Sequence, residues 1–210
     1  MNWLKRKRVS NAGSPKGFWG AVTLTNMNDD HAELTDEGLK KLTLTENAVC
    51  LDVGCGGGRT LARLSEIATN GKIFGVDISE TAVKCAKAYN IKDVKAGKIK
   101  VKMGSASAIP FPKETFDAVT AVETFYFWND KPQAVKNVYE VLKSGGEFII
   151  MLDAYEDGTG SMDEIKEEID GRFNLELNTP EEIEKMFTEA GFADVKVDIC
   201  GKRLYAKGRK

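Results

Sequence analysis

The stretch Val49-Cys50-Leu51-Asp52-Val53-Gly54-Cys55-Gly56-Gly57-Gly58-Arg59 decides how the rest of the chain is read. Its first residues are apolar apart from Asp52, as in a strand buried on both faces. A glycine-dense turn follows, and then an amphipathic run with Leu61, Leu64 and Ala68 on one helical face. Strand, glycine turn and helix in that order let backbone come close to a ligand, because glycine has no Cβ in the way. The first turn of the helix offers unpaired N–H groups and positive potential to an anion. Nineteen residues beyond Gly58 stands Asp77, closing the next apolar run. An acid there can accept hydrogen bonds from both hydroxyls of a ribose.

Outward from this centre, short apolar runs alternate with amphipathic stretches, the pattern of an α/β domain with a mainly parallel sheet. Strands are expected over 48–53, 72–77, 98–103, 116–122 and 147–153. Ser79 is a helix N-cap leading into Val83 and Ala86. Asp130 and Pro132 open a helix through Ala134, Val135, Val138, Val141 and Leu142, which Gly145-Gly146 are expected to close. Residues 153–178 are polar and read as a loop around a short helix. Thr179-Pro180-Glu181-Glu182 is a capping box; Ile183, Met186, Phe187 and Ala190 share a face, and Gly191 ends the helix. Two strands, 194–200 and 203–207, joined at Gly201-Lys202, form an antiparallel pair. Residues 1–45 hold one helix, around 30–42, and read as a cover; residues 46–210 read as the domain proper, one domain overall.

The 210 residues carry 30 Lys and Arg against 32 Asp and Glu, a net charge of −2 that disfavours a nucleic-acid partner. Four cysteines, Cys50, Cys55, Cys85 and Cys200, form no Cys-x-x-Cys pair, so a zinc ribbon does not fit and reduced thiols are expected. His31 is the only histidine, which excludes a multi-histidine metal centre; no metal is expected. Apolar runs such as Phe148–Leu152 are far short of a membrane span, and Lys5-Arg6-Lys7-Arg8 has no apolar stretch behind it. The expectation is a cytoplasmic monomer or homodimer.

The glycine spacing then separates two cofactor families. A dinucleotide fingerprint starting at Gly54 and Gly56 needs a third glycine at position 59, where Arg59 stands. Glycines at 54, 56 and 58, with Asp52 two residues earlier, give Asp-x-Gly-x-Gly-x-Gly. This resembles motif I of the class I S-adenosylmethionine-dependent methyltransferases, and the resemblance runs from about Leu39 onward. Gly104–Phe111 and Phe116–Val122 look most like the small-molecule branch that includes the ubiquinone and menaquinone C-methyltransferases. The resemblance implies a Rossmann-like three-layer sandwich, with a seven-stranded, mostly parallel sheet whose last strand is antiparallel. It also implies S-adenosylmethionine as cofactor. Asp52, Gly54, Gly56 and Gly58 would form the floor under its methionine part, Asp77 would hold the ribose, and Ile78 would pack on the adenine. Ser105 and Ala106 would meet the adenine edge, and Val122 and Glu123 would close the pocket. At 105 the chain departs from the family, which usually has an aspartate there.

A base is needed where the acceptor is a hydroxyl or an acidic carbon. His31, Glu123 and Tyr126 are the candidates, and the sequence does not choose among them. Phe125, Tyr126, Phe127 and Trp128 fall at the carboxyl edge of the sheet, where ligands bind, and at least one is expected to face the acceptor. Cys55 reads as packing. Residues 1–34, 123–129 and 153–177 are expected to build a pocket for a small, partly apolar molecule. Gly13, Gly17 and Gly20 around Phe18-Trp19 suggest that the first thirty residues move as a lid over the cofactor. Glu123-Thr-Phe-Tyr is not the Asn/Asp-Pro-Pro-aromatic motif of base-amino methyltransferases. A non-catalytic S-adenosylmethionine sensor or partner subunit is the alternative reading.

Overall fold

Successive side chains of the strand Leu142–Leu152 point into two different cores: Phe148, Ile150 and Leu152 into one, Ile149 and Met151 into the other. A strand with apolar residues at both parities belongs in a sheet covered on both faces, and the computed structural model shows one. It describes residues 16, 17, 20–22, 24, 28, 31–158 and 176–210. The strands are β1 (Val49–Val53), β2 (Lys72–Asp77), β3 (Ile99–Met103), β4 (Phe116–Val122), β5 (Leu142–Leu152), β6 (Ala193–Cys200) and β7 (Arg203–Arg209). The helices are α1 (Ala32–Leu39), α2 (Arg59–Ile67), α3 (Glu80–Tyr89), α4 (Ile91–Lys95), α5 (Lys131–Val141) and α6 (Pro180–Ala190).

The seven strands lie in the order β3-β2-β1-β4-β5-β7-β6. All neighbours up to β5 are parallel, and β7 runs antiparallel to both β5 and β6. This is the Rossmann-like sandwich with an antiparallel last strand that the sequence implies. Leu34 and Leu39 of α1, Leu61 and Leu64 of α2, and Val83 and Ala86 of α3 cover one face. Ala134, Val135 and Val138 of α5, with Ile183 and Phe187 of α6, cover the other. Phe148 stacks on Phe187 with centroids 5.0 Å apart. Both expected caps are present: Ser79 accepts from the Ala82 N–H, and Thr179 and Glu182 form the reciprocal capping box.

Most strand ends fall within two residues of expectation, and the larger differences are at two places. Gly145-Gly146 do not close α5, because the helix ends at Val141 and Leu142 already pairs with Phe116 in the sheet. The next pairs start at Ala118 and Glu147, so residues 143–146 bulge out of β5, with Gly145 at φ +78°. The helix expected over 30–42 is shorter, Ala32–Leu39, and position 30 lies outside the described residues. The short helix expected within 153–178 falls mostly on residues outside the described set, as do Lys5–Arg8, Gly13, Phe18 and Trp19.

Strand order reverses between β1 and β4, and an open α/β sheet forms its ligand crevice at the carboxyl ends flanking such a switch. The glycine turn, Asp77, Gly104 and Glu123 follow or close the four strands that meet there.

Candidate functional site

The turn after β1 is folded back over the end of β2. The N–H groups of Gly54 and Cys55 both donate to the Val76 carbonyl, at 2.8 and 3.0 Å. The Gly56 N–H then donates to Asp77 Oδ2 at 2.9 Å, and the Ser79 N–H to Asp77 Oδ1 at 2.8 Å. Asp77 is therefore the buttress of the turn as well as its neighbour. Position 54 has no room for a side chain: at φ +80°, a Cβ there would lie 2.2 Å from Thr124 Oγ1.

A cavity of about 330 Å³ opens in front of this turn. Asp52, Gly54 and Gly56 line it, with Asp77 and Ile78 from the end of β2. Ser105 and Ala106 border it after β3, and Val122 and Glu123 after β4. Gly58 is the exception. It turns its open side toward α3, where a Cβ would fall 2.7 Å from the Ala86 Cα, and its carbonyl accepts from Asn90 Nδ2 at 2.8 Å. Its glycine serves helix packing, not the cavity floor.

Asp52 is fully enclosed and accepts from Thr120 Oγ1 at 2.6 Å. Burial pushes its carboxyl up to about 7, with the Asp77 charge adding in the same direction. Burial also raises Asp77, against the three backbone N–H groups that hold its anion. Cys55 lines the cavity but is buried, with its thiol pushed well up by burial, so it behaves as packing and not as a nucleophile.

The three candidate bases come together. Glu123 ends β4 in a left-handed conformation, φ +50°, which is costly for a residue with a side chain. Its Oε1 accepts from the Asp153 N–H and its Oε2 from Tyr126 OH, the latter at 2.9 Å. His31 Nε2 stands 3.9 Å from the same Oε2. Burial raises the Glu123 carboxyl, with His31 the largest opposing influence, and lifts the Tyr126 phenol well above its usual range. His31 and Glu123 both line the cavity, whereas Tyr126 bonds Glu123 from behind it. Of the aromatic cluster, Phe127 and Trp128 face the cavity and Phe125 is core.

Sequence reading missed Thr120, Asn90 and Asn28. Thr120 is the only uncharged polar residue inside β4, a signal that was available. Asn28 lines the cavity, and Asn90 ties the Gly58 carbonyl, 32 positions earlier, to the end of α3, a link that no local pattern marks. Among the described residues, no cluster of His, Cys, Asp or Glu could hold a metal ion. No described helix is long and apolar enough to cross a membrane.

The fold and this cradle define a protein that holds a nucleoside-bearing cofactor at the carboxyl edge of a parallel sheet. Three features fit S-adenosylmethionine: an acid, Asp77, lining the cavity at the end of β2, a glycine-rich turn, and an Ile78 left 55% exposed beside the cavity. Residues 51–150 match a family model described as a methyltransferase domain. The erythromycin 3''-O-methyltransferase of Saccharopolyspora erythraea is 31% identical over 192 residues, covering 86% of this chain and 62% of that protein. A demethylmenaquinone methyltransferase of Symbiobacterium thermophilum is 36% identical over 102 residues, 48% of this chain and 41% of that protein. The chain thus spans less than two thirds of either relative. A crystal structure of an S-adenosylmethionine-dependent methyltransferase from Aquifex aeolicus shares the fold, with a TM-score of 0.70 at 21% identity over 90% of this chain and 97% of that one. Residues 51–150 thus carry a methyltransferase domain, and the chain is similar in sequence to S-adenosylmethionine-dependent methyltransferases.

Proposed function

We propose that the chain transfers the methyl group of S-adenosylmethionine to a small, partly apolar acceptor, with His31 and Glu123 handling the acceptor's proton. The observation that carries this reading is the meeting of Glu123, Tyr126 and His31 at the cavity that the glycine turn also borders. The cofactor supplies an already activated methyl group, so the protein's task is alignment, exclusion of water and proton removal. Asp77 would accept from the ribose hydroxyls, and Ile78 and Ser105 would flank the adenine. Phe127 and Trp128 give the acceptor an apolar wall. His31 takes the acceptor's proton, and the imidazolium so formed faces the Glu123 carboxylate, which Tyr126 OH and the Asp153 N–H hold in place.

Relatives named for O-methylation of erythromycin and for demethylmenaquinone support a small organic acceptor. In this reading residues 46–210 form the cofactor-binding domain, and the expected cover, residues 1–45, is described only in part, with His31 at the N-cap of α1 beside the cavity. The protein works in the cytoplasm as a monomer or homodimer, without nucleic acid.

The test has two stages. Calorimetry with S-adenosylmethionine, S-adenosylhomocysteine and NAD establishes which cofactor binds. Release of S-adenosylhomocysteine is then followed over a panel of phenols, quinols and hydroxylated macrocycles. His31→Ala and Glu123→Gln are expected to lower kcat by about a hundredfold. Their affinity for S-adenosylhomocysteine should stay within about threefold of the parent. Cofactor binding without turnover of any acceptor would favour the sensor reading instead.

A further inference from the structure

Arg203, the first residue of β7, meets three carboxylates at once. Its Nη2 lies 2.7 Å from Glu33, its Nη1 3.0 Å from Glu37 and its Nε 3.4 Å from Asp153. Glu33 and Glu37 stand one turn apart on α1, and Glu37 also accepts from Tyr205 OH at 2.7 Å. The same helix carries His31 as its N-cap, two residues before Glu33. Asp153 in turn gives its backbone N–H to Glu123. One guanidinium is thus joined to the helix that presents His31 and to the backbone that orients Glu123.

We propose that Arg203 is a positioning residue that holds His31 and Glu123 in register across the acceptor side of the cavity. The proposal rests on the proton-handling role given to that pair above. Arg203 does not line the cavity, so its effect on an acceptor passes through the two residues it positions. Stability is a poor explanation for the arrangement. Glu33 is 72% exposed, and ion pairs with such exposed carboxylates contribute little. Geometry is the better one: a planar fork with fixed N–H directions sets two bodies at a defined angle, which a lysine ammonium cannot do.

His31 is the only histidine of the chain, so its imidazole Cε1–H gives a single resolvable NMR signal that reports its surroundings without any turnover. Arg203→Met should displace that signal, Arg203→Lys should displace it less, and Glu33→Gln should move it in the same direction as Arg203→Met. Lys113→Met, which breaks the exposed 3.2 Å Lys113–Glu140 pair at the end of α5, should leave it in place. A signal unmoved in both Arg203→Met and Glu33→Gln overturns the proposal. Should Arg203→Met fail to fold, the exposed Glu33 site decides alone, by whether its signal moves.

With an acceptor in hand, Arg203→Met should lower kcat/KM about tenfold, with Arg203→Lys recovering part of the loss. Affinity for S-adenosylhomocysteine should stay within about twofold. An unchanged kcat/KM beside a displaced signal would also overturn the proposal. A displaced signal with no acceptor turned over supports the clamp and counts against methyl transfer, so the two readings fail separately.

Discussion

Asp77 and Gly56, 21 positions apart, are joined by a 2.9 Å hydrogen bond from the glycine N–H to the carboxylate. The acid that the family resemblance assigns to the ribose therefore also fixes the turn that borders the cavity. Asp77→Ala removes both roles together. It leaves the Gly56 and Ser79 N–H groups without their acceptor, at about 1–3 kcal/mol each before water or relaxation compensates. The expected result is a lower melting temperature and at least about tenfold weaker binding of S-adenosylhomocysteine by calorimetry. Asp77→Asn keeps one acceptor oxygen and should fall between. Undiminished affinity in a folded Asp77→Ala variant would take Asp77 out of the site.

Asp52 makes stability fall as pH rises. Its carboxyl moves from an ordinary 3.8 to about 7 on folding, so the folded chain holds this proton more tightly than the unfolded one. The resulting stabilisation is complete below pH 3.8 and is lost as pH rises through about 7. Its size is on the order of 4 kcal/mol. Asp77 and Glu123, also raised by burial, add slope of the same sign. Asp52→Asn keeps an acceptor for Thr120 and removes the titration. Melting curves of the apo protein should show the variant above the parent at about pH 8, with the gap narrowing through about pH 5 and closing near pH 3.8. Parallel pH profiles would mean that Asp52 is ionised throughout.

Gly58→Ala separates packing from binding. The residue sits at φ +88°, and a Cβ would meet the Ala86 backbone at 2.7 Å, which no side-chain rotation relieves. A loss of about 1–3 kcal/mol is expected from the strained conformation and the overlap. Denaturant titration measures it. An equally stable variant would show that α3 can shift away from the turn.

Ser105→Asp tests the one position where the chain leaves the family pattern. A charged acceptor makes a stronger hydrogen bond to the adenine amino group than a hydroxyl, while burying a further carboxylate near Asp77 opposes it. The balance expected is about two- to fivefold tighter binding of S-adenosylhomocysteine. Weaker binding would mean that the adenine edge is read by other groups.

What could be read from the sequence was whatever is local. Ser79 and Thr179 announce their helices because a cap and the N–H that donates to it lie within three residues, and the Asp52 to Asp77 spacing follows from one strand–helix–strand unit. The two glycines at 145 and 146 misled for the same reason: a local stop signal cannot show that Leu142 has already joined Phe116. Gly58 shares its motif with Gly54 and Gly56, and only the packing of α3 reveals that it faces the other way. The ties that bring His31 to Glu123 and Arg203 to Glu33 close loops of 92 and 170 residues, with no pattern to mark them.

The place of β7 has a consequence for how the chain is made. It is a late strand in sequence but an interior one in the sheet, lying between β5 and β6. A nascent chain that has emerged only as far as α6 holds β5 with one flank unpaired, a row of open N–H and C=O groups beside Phe148, Ile149 and Ile150. Such an edge recruits other strands readily, including those of neighbouring chains on the same message. Ribosome pausing or premature termination between residues 191 and 203 would thus release an aggregation-prone species, although every residue of the cofactor cradle had already been synthesised.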